Sequence, residues 1–454
     1  MTRTMNLALI VVIAVTAPQL CNAFILPPRA RQSISCLSTQ SPSLVLVPGE
    51  ERGSRWRQQK ILTTASRSSR SLIQNASPTT SDQEKDKIQY IRPYLTQLFL
   101  LCRPSNFPIV TLFHVLGVHQ AVHFWQSTST VSFNASSSAL LLSLLKHPSI
   151  AMVLISLLLV TSTSMITNDY YDARSGVDSI TDDGHPENDH YHPLAQGEVP
   201  LSVAKTFDSY LYATLLLSSA FVPGAISRLM VLGGAIITYL YTVHLKPLTW
   251  IKNLSCAALV SMSPVTSGLA AWHVLCNDRT FLESQISSVA SVAAASGPPP
   301  FHQIFKSPLS FLVVALFAGI MSREILMDIT DCEGDARGGI QTIPVKHGKN
   351  TASAVALGCS LISAISACAA SLIPWIRTLA VRGESFKTSC KTMSGASLIS
   401  TPDTRKVILS VIGSAMLVLR TFRVWKTNGE DTNLADRAIR ESLLSVLLVL
   451  ASFL

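Results

Sequence analysis

The chain is short of charge. Of its 454 residues only 14% are Asp, Glu, Lys or Arg, while 48% are apolar. A soluble domain carries about 25% charged residues, so one large water-soluble fold is excluded and a chain that crosses a membrane many times is indicated. Aromatic residues are sparse as well, at 7%. No basic stripe interleaved with aromatics occurs, so the net charge of +9 does not mark a nucleic-acid surface. Its Arg and Lys concentrate in the N-terminal arm and in loops. Cys-x-x-Cys pairs are missing too. Cysteines stand singly at positions 21, 36, 102, 256, 276, 332, 359, 368 and 390. That spacing excludes a zinc ribbon or a disulfide framework, and those in apolar runs read as small buried apolar residues.

A further shortage lies near the N-terminus. Between Phe24 and Ser81 the only acids are Glu50 and Glu51, in a stretch rich in Ser, Arg, Gln and Pro. Before it, Arg3 and the apolar run Asn6 to Val15 form a short signal that ends on Cys21-Asn22-Ala23. The expectation is a signal peptide over 1–23, a transit-type arm over 24–85 and one folded domain over 86–454. A secretory signal joined to a transit peptide at Phe24 resembles the leader that addresses proteins to plastids of secondary endosymbiotic origin. A plain secretory signal followed by an unstructured arm is the simpler alternative.

What is plentiful is long apolar sequence. Segments near 106–126, 148–167, 207–226, 229–243, 253–275, 308–327, 351–376, 407–421 and 441–454 read as helices. The expected fold is all-α, a polytopic membrane bundle of about nine helices. A short apolar run at 137–145 is expected to lengthen the second of them. The stretches 284–300 and 378–406 read as loops.

Two acidic clusters stand out against this background. Asn168-Asp169-Tyr170-Tyr171-Asp172, with Asp178 beyond, follows the second segment. Asp328-Ile329-Thr330-Asp331-Cys332-Glu333-Gly334-Asp335 closes the sixth. Both segments are even-numbered, which puts both clusters on one membrane face, together with the loop that carries Lys246 and Lys252. Asp169 and Asp172 are spaced i, i+3 and share a helix face; Asp328, Asp331 and Asp335 run i, i+3, i+7 and are expected to point one way. Crowded carboxylates repel and call for a counter-charge, and Mg²⁺ supplies one while leaving coordination positions for phosphate oxygens. The bland reading of each cluster is a solvated or capping helix end. His119 and His123, spaced i, i+4 in the first segment, have the separation of a metal pair but no third ligand. Arg323 and Glu324, inside the sixth segment, read either as a mutual ion pair or as support for the second cluster.

The motifs resemble those of the UbiA-type intramembrane prenyltransferases over about 90–454. Arg103-Pro104-Ser105-Asn106 resembles the family's entry into its first helix. Asn168 to Asp172 matches its first Asp-rich motif, and His192 to Val199 the segment that follows. Tyr241, Leu245-Lys246 and Lys252-Asn253 resemble its loop between helices four and five. Arg323 to Asp335, with Thr342 to Gly348 behind it, matches the second motif. Two positions depart: Gly176 stands where a third acid is usual, and His192 where an Arg is usual. The form Ser175-Gly176-Val177-Asp178 is similar to that of dihydroxynaphthoate-type members.

The resemblance implies prenyl transfer. Asp169, Asp172, Asp328, Asp331 and Asp335 would ligate Mg²⁺, and the metal would hold a prenyl diphosphate. Lys246 would be the first cation on the leaving group. Arg103, Asn106, Asn168, Tyr241, Asn253, Arg337 and Lys346 would bind substrate. The expected partners are a prenyl diphosphate, a lipophilic or aromatic acceptor and membrane lipid, with no nucleic acid. The leading expectation is an aromatic acceptor in plastid quinone or tocopherol synthesis, in a plastid membrane. The alternatives are a glycerophosphate ether or chlorophyllide as acceptor, since 323–348 resembles the geranylgeranylglyceryl-phosphate enzymes at least as well. Outside the enzyme class stands a cation-binding transporter, disfavoured because its ionisable groups would lie at mid-membrane on broken helices. A scaffold that has lost catalysis is kept open by Gly176.

Overall fold

In the computed structural model, the described residues are 95–128, 136–175, 193–194, 196–245, 248–278, 280–282, 308–337, 339–381 and 402–454. The expected leader, Asp178, Gly176, His192 and Lys246 lie outside them. Thr96–Leu454 belongs to one compact unit. Among the described residues every regular element is helical. The elements are α1 (Phe107–Thr128), α2 (Ser137–Leu145), α3 (Pro148–Ser175), α4 (Leu201–Ser219), α5 (Ala225–Leu240), α6 (Ile251–Asn277), α7 (Pro308–Thr330), α8 (Cys332–Arg337), α9 (Ile343–His347), α10 (Lys349–Val381), α11 (Pro402–Lys426) and α12 (Thr432–Ala451).

Each of the nine expected apolar segments falls on a helix of 16 residues or more. Seven of the described helices are long and apolar enough to cross a membrane; α4 and α12 fall short of that measure. The chain is a multi-pass membrane protein. The run at 137–145 does not lengthen the next helix as expected. Ser136 caps α2 by accepting from the Ala139 N–H, and the chain breaks at Lys146–His147 before Pro148 opens α3. Pro at a first helical position sacrifices no hydrogen bond, which makes Pro148 a start signal.

The interior is built in three apolar clusters. The largest joins α1, α2, α3, α5, α6 and α7 through Leu116, Leu144, Ile150, Val231, Leu275 and Leu312. The second lies between α7, α10, α11 and α12 and contains Ile325, Leu326 and Ile329. The third packs Leu98 and Leu101 against Ile166, Leu194 and Ala204. The first acidic cluster therefore rises from the third apolar cluster, and the second acidic cluster from the second. Many large apolar side chains, Leu216, Leu217, Leu229, Ile236 and Ile365 among them, are exposed. In a bundle whose solvent is lipid they face hydrocarbon chains.

Small residues let the helices approach closely, as membrane packing requires. α1 crosses α6 at Gly117, where an added Cβ would stand 2.1 Å from the Pro264 carbonyl oxygen. Polar staples tie the remaining helices. Arg420 in α11 meets Glu441 of α12 at 2.8 Å, and Gln120 of α1 donates to the Phe453 carbonyl at 2.7 Å.

Candidate active site

Contacts establish which helix ends lie together. At one end of the bundle His147, just before α3, pairs with Asp278, just after α6, at 3.1 Å. The other end of α3 carries Asn168 to Asp172, and the other end of α6 carries Lys252 and Asn253. Tyr171 of α3 lies beside Tyr239 of α5. Two residues on, Tyr241 lies within electrostatic range of Lys252 and Asp328. The two acidic clusters thus share one end of the bundle, as the even-numbered segments required.

At the first cluster, Asp169 and Asp172 are 5% and 9% exposed. Arg103 reaches Asp169 Oδ1 at 2.7 Å. The Asn168 amide donates to Asp172 Oδ2 at 2.8 Å, an i, i+4 contact on one helix face. Arg103 adopts φ 47°, ψ 66°, a left-handed conformation unusual for a residue with a Cβ. It precedes Pro104, which opens a single 3₁₀ turn over Pro104–Asn106. The strained corner brings the guanidinium from the approach to α1 onto α3, and Asn106 sits inside the same turn.

At the second cluster, Asp328 is 2% exposed and both of its oxygens are held from α6. Lys252 Nζ donates to Oδ1 at 2.8 Å and Asn253 Nδ2 to Oδ2 at 2.7 Å. Asp331 is exposed and accepts from Thr330 Oγ1 at 3.3 Å. Asp335 is half-buried on α8. The expected single row of three carboxylates is therefore corrected. α7 ends at Thr330 and α8 begins at Cys332. The i, i+7 pair returns to the buried face, while the i, i+3 residue between them stays on the rim. Burial raises Asp335 above the ordinary carboxylate range, against the nearby Lys252, which lowers it. Asp335 Oδ2 and Asn253 Oδ1 are buried and accept no hydrogen bond.

Lys246, expected to lead the cations, lies outside the described residues; among those, Lys252 pairs with a site carboxylate. Arg337 and Lys346 are exposed, and the Arg337 Nε donates to the Glu333 carbonyl at 3.4 Å. Tyr241 opens a π-helical turn, Tyr241–Leu245, that continues α5. Such wide turns concentrate at functional sites because they re-aim side chains. The sequence gives no signal for it beyond the proline at 247. His119 and His123 stack edge-on with ring centroids 5.0 Å apart. Among the described residues no three His, Cys, Asp or Glu side chains converge closely enough to enclose an ion.

Residues 128–383, more than half of the chain, match the model of the UbiA prenyltransferase family. The chain belongs to that family. Among curated relatives, digeranylgeranylglyceryl phosphate synthase of Pyrococcus abyssi is 27% identical over 188 residues, covering 41% of this chain and 53% of its own length. The same-named protein of Methanobrevibacter smithii is 26% identical over 219 residues, covering 47% and 63%. The chain thus matches a little over half the length of these relatives. A solved digeranylgeranylglyceryl phosphate synthase aligns over 79% of this chain and 96% of its own at 18% identity, with a TM-score of 0.49. A UbiA homolog from Archaeoglobus fulgidus bound to DMAPP and Mg²⁺ aligns over 77% and 99% at 15% identity, with a TM-score of 0.39.

Proposed function

We propose that this protein transfers an isoprenoid chain from a prenyl diphosphate to a lipophilic acceptor within the membrane. The observation that carries the reading is the pairing of two buried carboxylates at one end of the bundle, each with its own cation: Asp169 with Arg103, and Asp328 with Lys252. The donor set suits a hard divalent cation. Its members are carboxylates, and Asp335 contributes a buried oxygen with no donor. Asp169, Asp172, Asp328, Asp331 and Asp335 would hold Mg²⁺, which when bound neutralises charge building on the departing diphosphate.

The chain's own residues do the rest. Arg103 and Lys252 bring positive charge to the leaving group, and a charge already in place needs no reorganisation during reaction. Asn168 and Asn253 fix the carboxylates they donate to. Asn106 and Tyr241 flank the same end of the bundle and would position substrate. The apolar interior keeps water from an allylic cation, which water would quench.

The acceptor is where the expectation moves. The curated relatives are named for digeranylgeranylglyceryl phosphate synthesis, which favours a glycerophosphate ether over the aromatic acceptor that led on sequence grounds. The aromatic reading keeps one support, the dihydroxynaphthoate-like form of Ser175 to Asp178. To test the function, membranes containing the protein are incubated with geranylgeranyl diphosphate and either geranylgeranylglyceryl phosphate or dihydroxynaphthoate. Pyrophosphate release is expected with the ether. Asp172→Ala is expected to lose release on the order of 10²-fold or more while still folding; unchanged release would sink the reading.

Residence in a plastid membrane is part of the proposal and rests on the composition of residues 1–85 alone. The archaeal relatives add nothing to it. A fusion of those residues to a fluorescent protein, expressed in an alga with secondary plastids, is expected to light the plastid; retention in the secretory pathway would refute it.

A further inference from the structure

Glu324 is an intramembrane carboxylate that the function proposed above leaves without a task. It lies in α7 four residues before Asp328, so it sits one turn, about 6 Å, deeper in the bundle. Its side chain is 13% exposed, and its nearest cation, Arg323 Nη1, is 3.7 Å away on a side chain that is 39% exposed. The same Arg323 atom also turns to Met327 Sδ at 3.4 Å. A long contact to a half-committed neighbour is a poor reason to keep a carboxylate inside a membrane span, where ionisable groups are costly and mark working sites.

The facing helix repeats the pattern. Cys256 stands one turn past Lys252 on α6, and its thiol lies against Glu324. Tyr241 is within electrostatic range of Lys252, Cys256, Glu324 and Asp328 together. α6 and α7 therefore form two rungs, Lys252–Asp328 above and Cys256–Glu324 below, with Tyr241 beside both. Arg323, Lys252, Asp328, Cys256 and Tyr241 are the charged and titratable groups that face Glu324.

If the upper rung holds the diphosphate, the prenyl chain that hangs from it runs inward toward the lower rung. We propose that Glu324 accepts the proton that the acceptor releases. For a hydroxyl acceptor, the oxygen's lone pair forms the new bond to C1 of the prenyl chain. The C1–O bond to the diphosphate breaks, its electron pair leaving with the diphosphate. The hydroxyl proton passes to the Glu324 carboxylate. This role rests on the proposed function.

The test uses the full chain in detergent with geranylgeranyl diphosphate, and compares geranylgeranylglyceryl phosphate with its thiol analogue. A thiol surrenders its proton far more readily than an alcohol, with a pKa of about 8.5 in cysteine. Glu324→Gln is expected to bind a geranylgeranyl thiodiphosphate normally. Its kcat on the hydroxyl acceptor is expected to fall on the order of 10²- to 10⁴-fold at unchanged KM, the usual worth of a positioned base. On the thiol acceptor the loss is expected to be much smaller. Glu324→Asp is expected to recover part of the hydroxyl rate. A hydroxyl rate close to wild type in Glu324→Gln overturns the proposal, and so does an equal loss on both acceptors. If Glu324→Gln does not bind the analogue, Glu324→Asp carries the same comparison. A hydroxyl-to-thiol ratio equal to that of wild type then overturns the proposal, as does failure of both variants to bind. A wild-type chain inactive with every prenyl diphosphate would instead strike at the proposed function and leave Glu324 aside.

Discussion

The chemistry of the site turns on which lysine meets which carboxylate. Asp328 is almost wholly buried and its charge is met by Lys252 at 2.8 Å. Removing one partner of a buried pair leaves the other charge stranded, which costs about 3–5 kcal/mol. Lys252→Ala is therefore expected to lower thermal stability in detergent markedly and to abolish pyrophosphate release. Lys252→Ala with Asp328→Asn should recover stability but not activity. A Lys252→Ala protein as stable as wild type would show that the pair is not what neutralises Asp328. At this scale the sequence was only half legible. The residue types Asp, Lys, Asn and Tyr in their motifs pointed to the candidate site. The partnership of Lys252 and Asn253 with Asp328 was hidden, because it depends on how α6 is rotated against α7, and local spacing does not encode that rotation. Asp331 shows the same limit: its i, i+3 spacing from Asp328 predicted a shared face, and although helical backbone bonds run through it to Asp335 it lies exposed on the rim.

Among elements, the crossing of α1 and α6 is the tightest contact with a clear sequence cause. Gly117 lies against the Pro264 carbonyl. Overpacking a close contact typically costs 1–3 kcal/mol, and about that much or more is expected here because the obstacle is backbone. Gly117→Ala should lower the unfolding temperature of the full-length protein. Gly233→Ala, in α5 with nothing within 4 Å, should be neutral or slightly stabilising. Equal effects of the two would refute the crossing as the cause. At the far end of the bundle the loop after α6 is fastened by Asp278. The Thr280 hydroxyl at 2.6 Å, then the Phe281 N–H at 3.0 Å, hold its carboxyl below the usual range, with His147 adding to them. A depressed carboxylate contributes stability above its unfolded pKa, about 3.9, and loses it as pH falls through the folded value. Asp278→Asn is expected to cost about 2 °C at pH 7, and the gap should close below about pH 4. A gap that persists in acid would mean that packing, not charge, is at stake. The helices themselves were legible because uninterrupted apolar runs have few other fates. The break between α2 and α3 was not, since it depends on a cap at Ser136 and a start at Pro148 rather than on hydropathy.

For the whole molecule, the contacts divide the bundle into a reactive end and a fastened end. α3 and α6 run in opposite senses between them, from His147 to Asp172 and from Lys252 to Asp278. Single cysteines placed at Ser175 and Glu333 should react with an impermeant thiol reagent from one side of the membrane, and one at Asn277 from the other. Labelling of Ser175 and Glu333 from opposite sides would separate the two acidic clusters and end the case for a shared diphosphate. The pairing of even-numbered segments already implied this arrangement from sequence, because a chain that crosses and recrosses a bilayer returns to the same side every second pass.

The π turn that begins at Tyr241 carries one residue more than an ordinary helical turn would hold, and so works as a built-in insertion. Deleting one residue between 242 and 245 would let the segment wind as a plain α-helix, a locally easier conformation. It would also swing the tyrosine by about 100° relative to the chain that follows, away from the lysine and the two acids it now overlooks. A shorter and smoother chain would thus be a blind one.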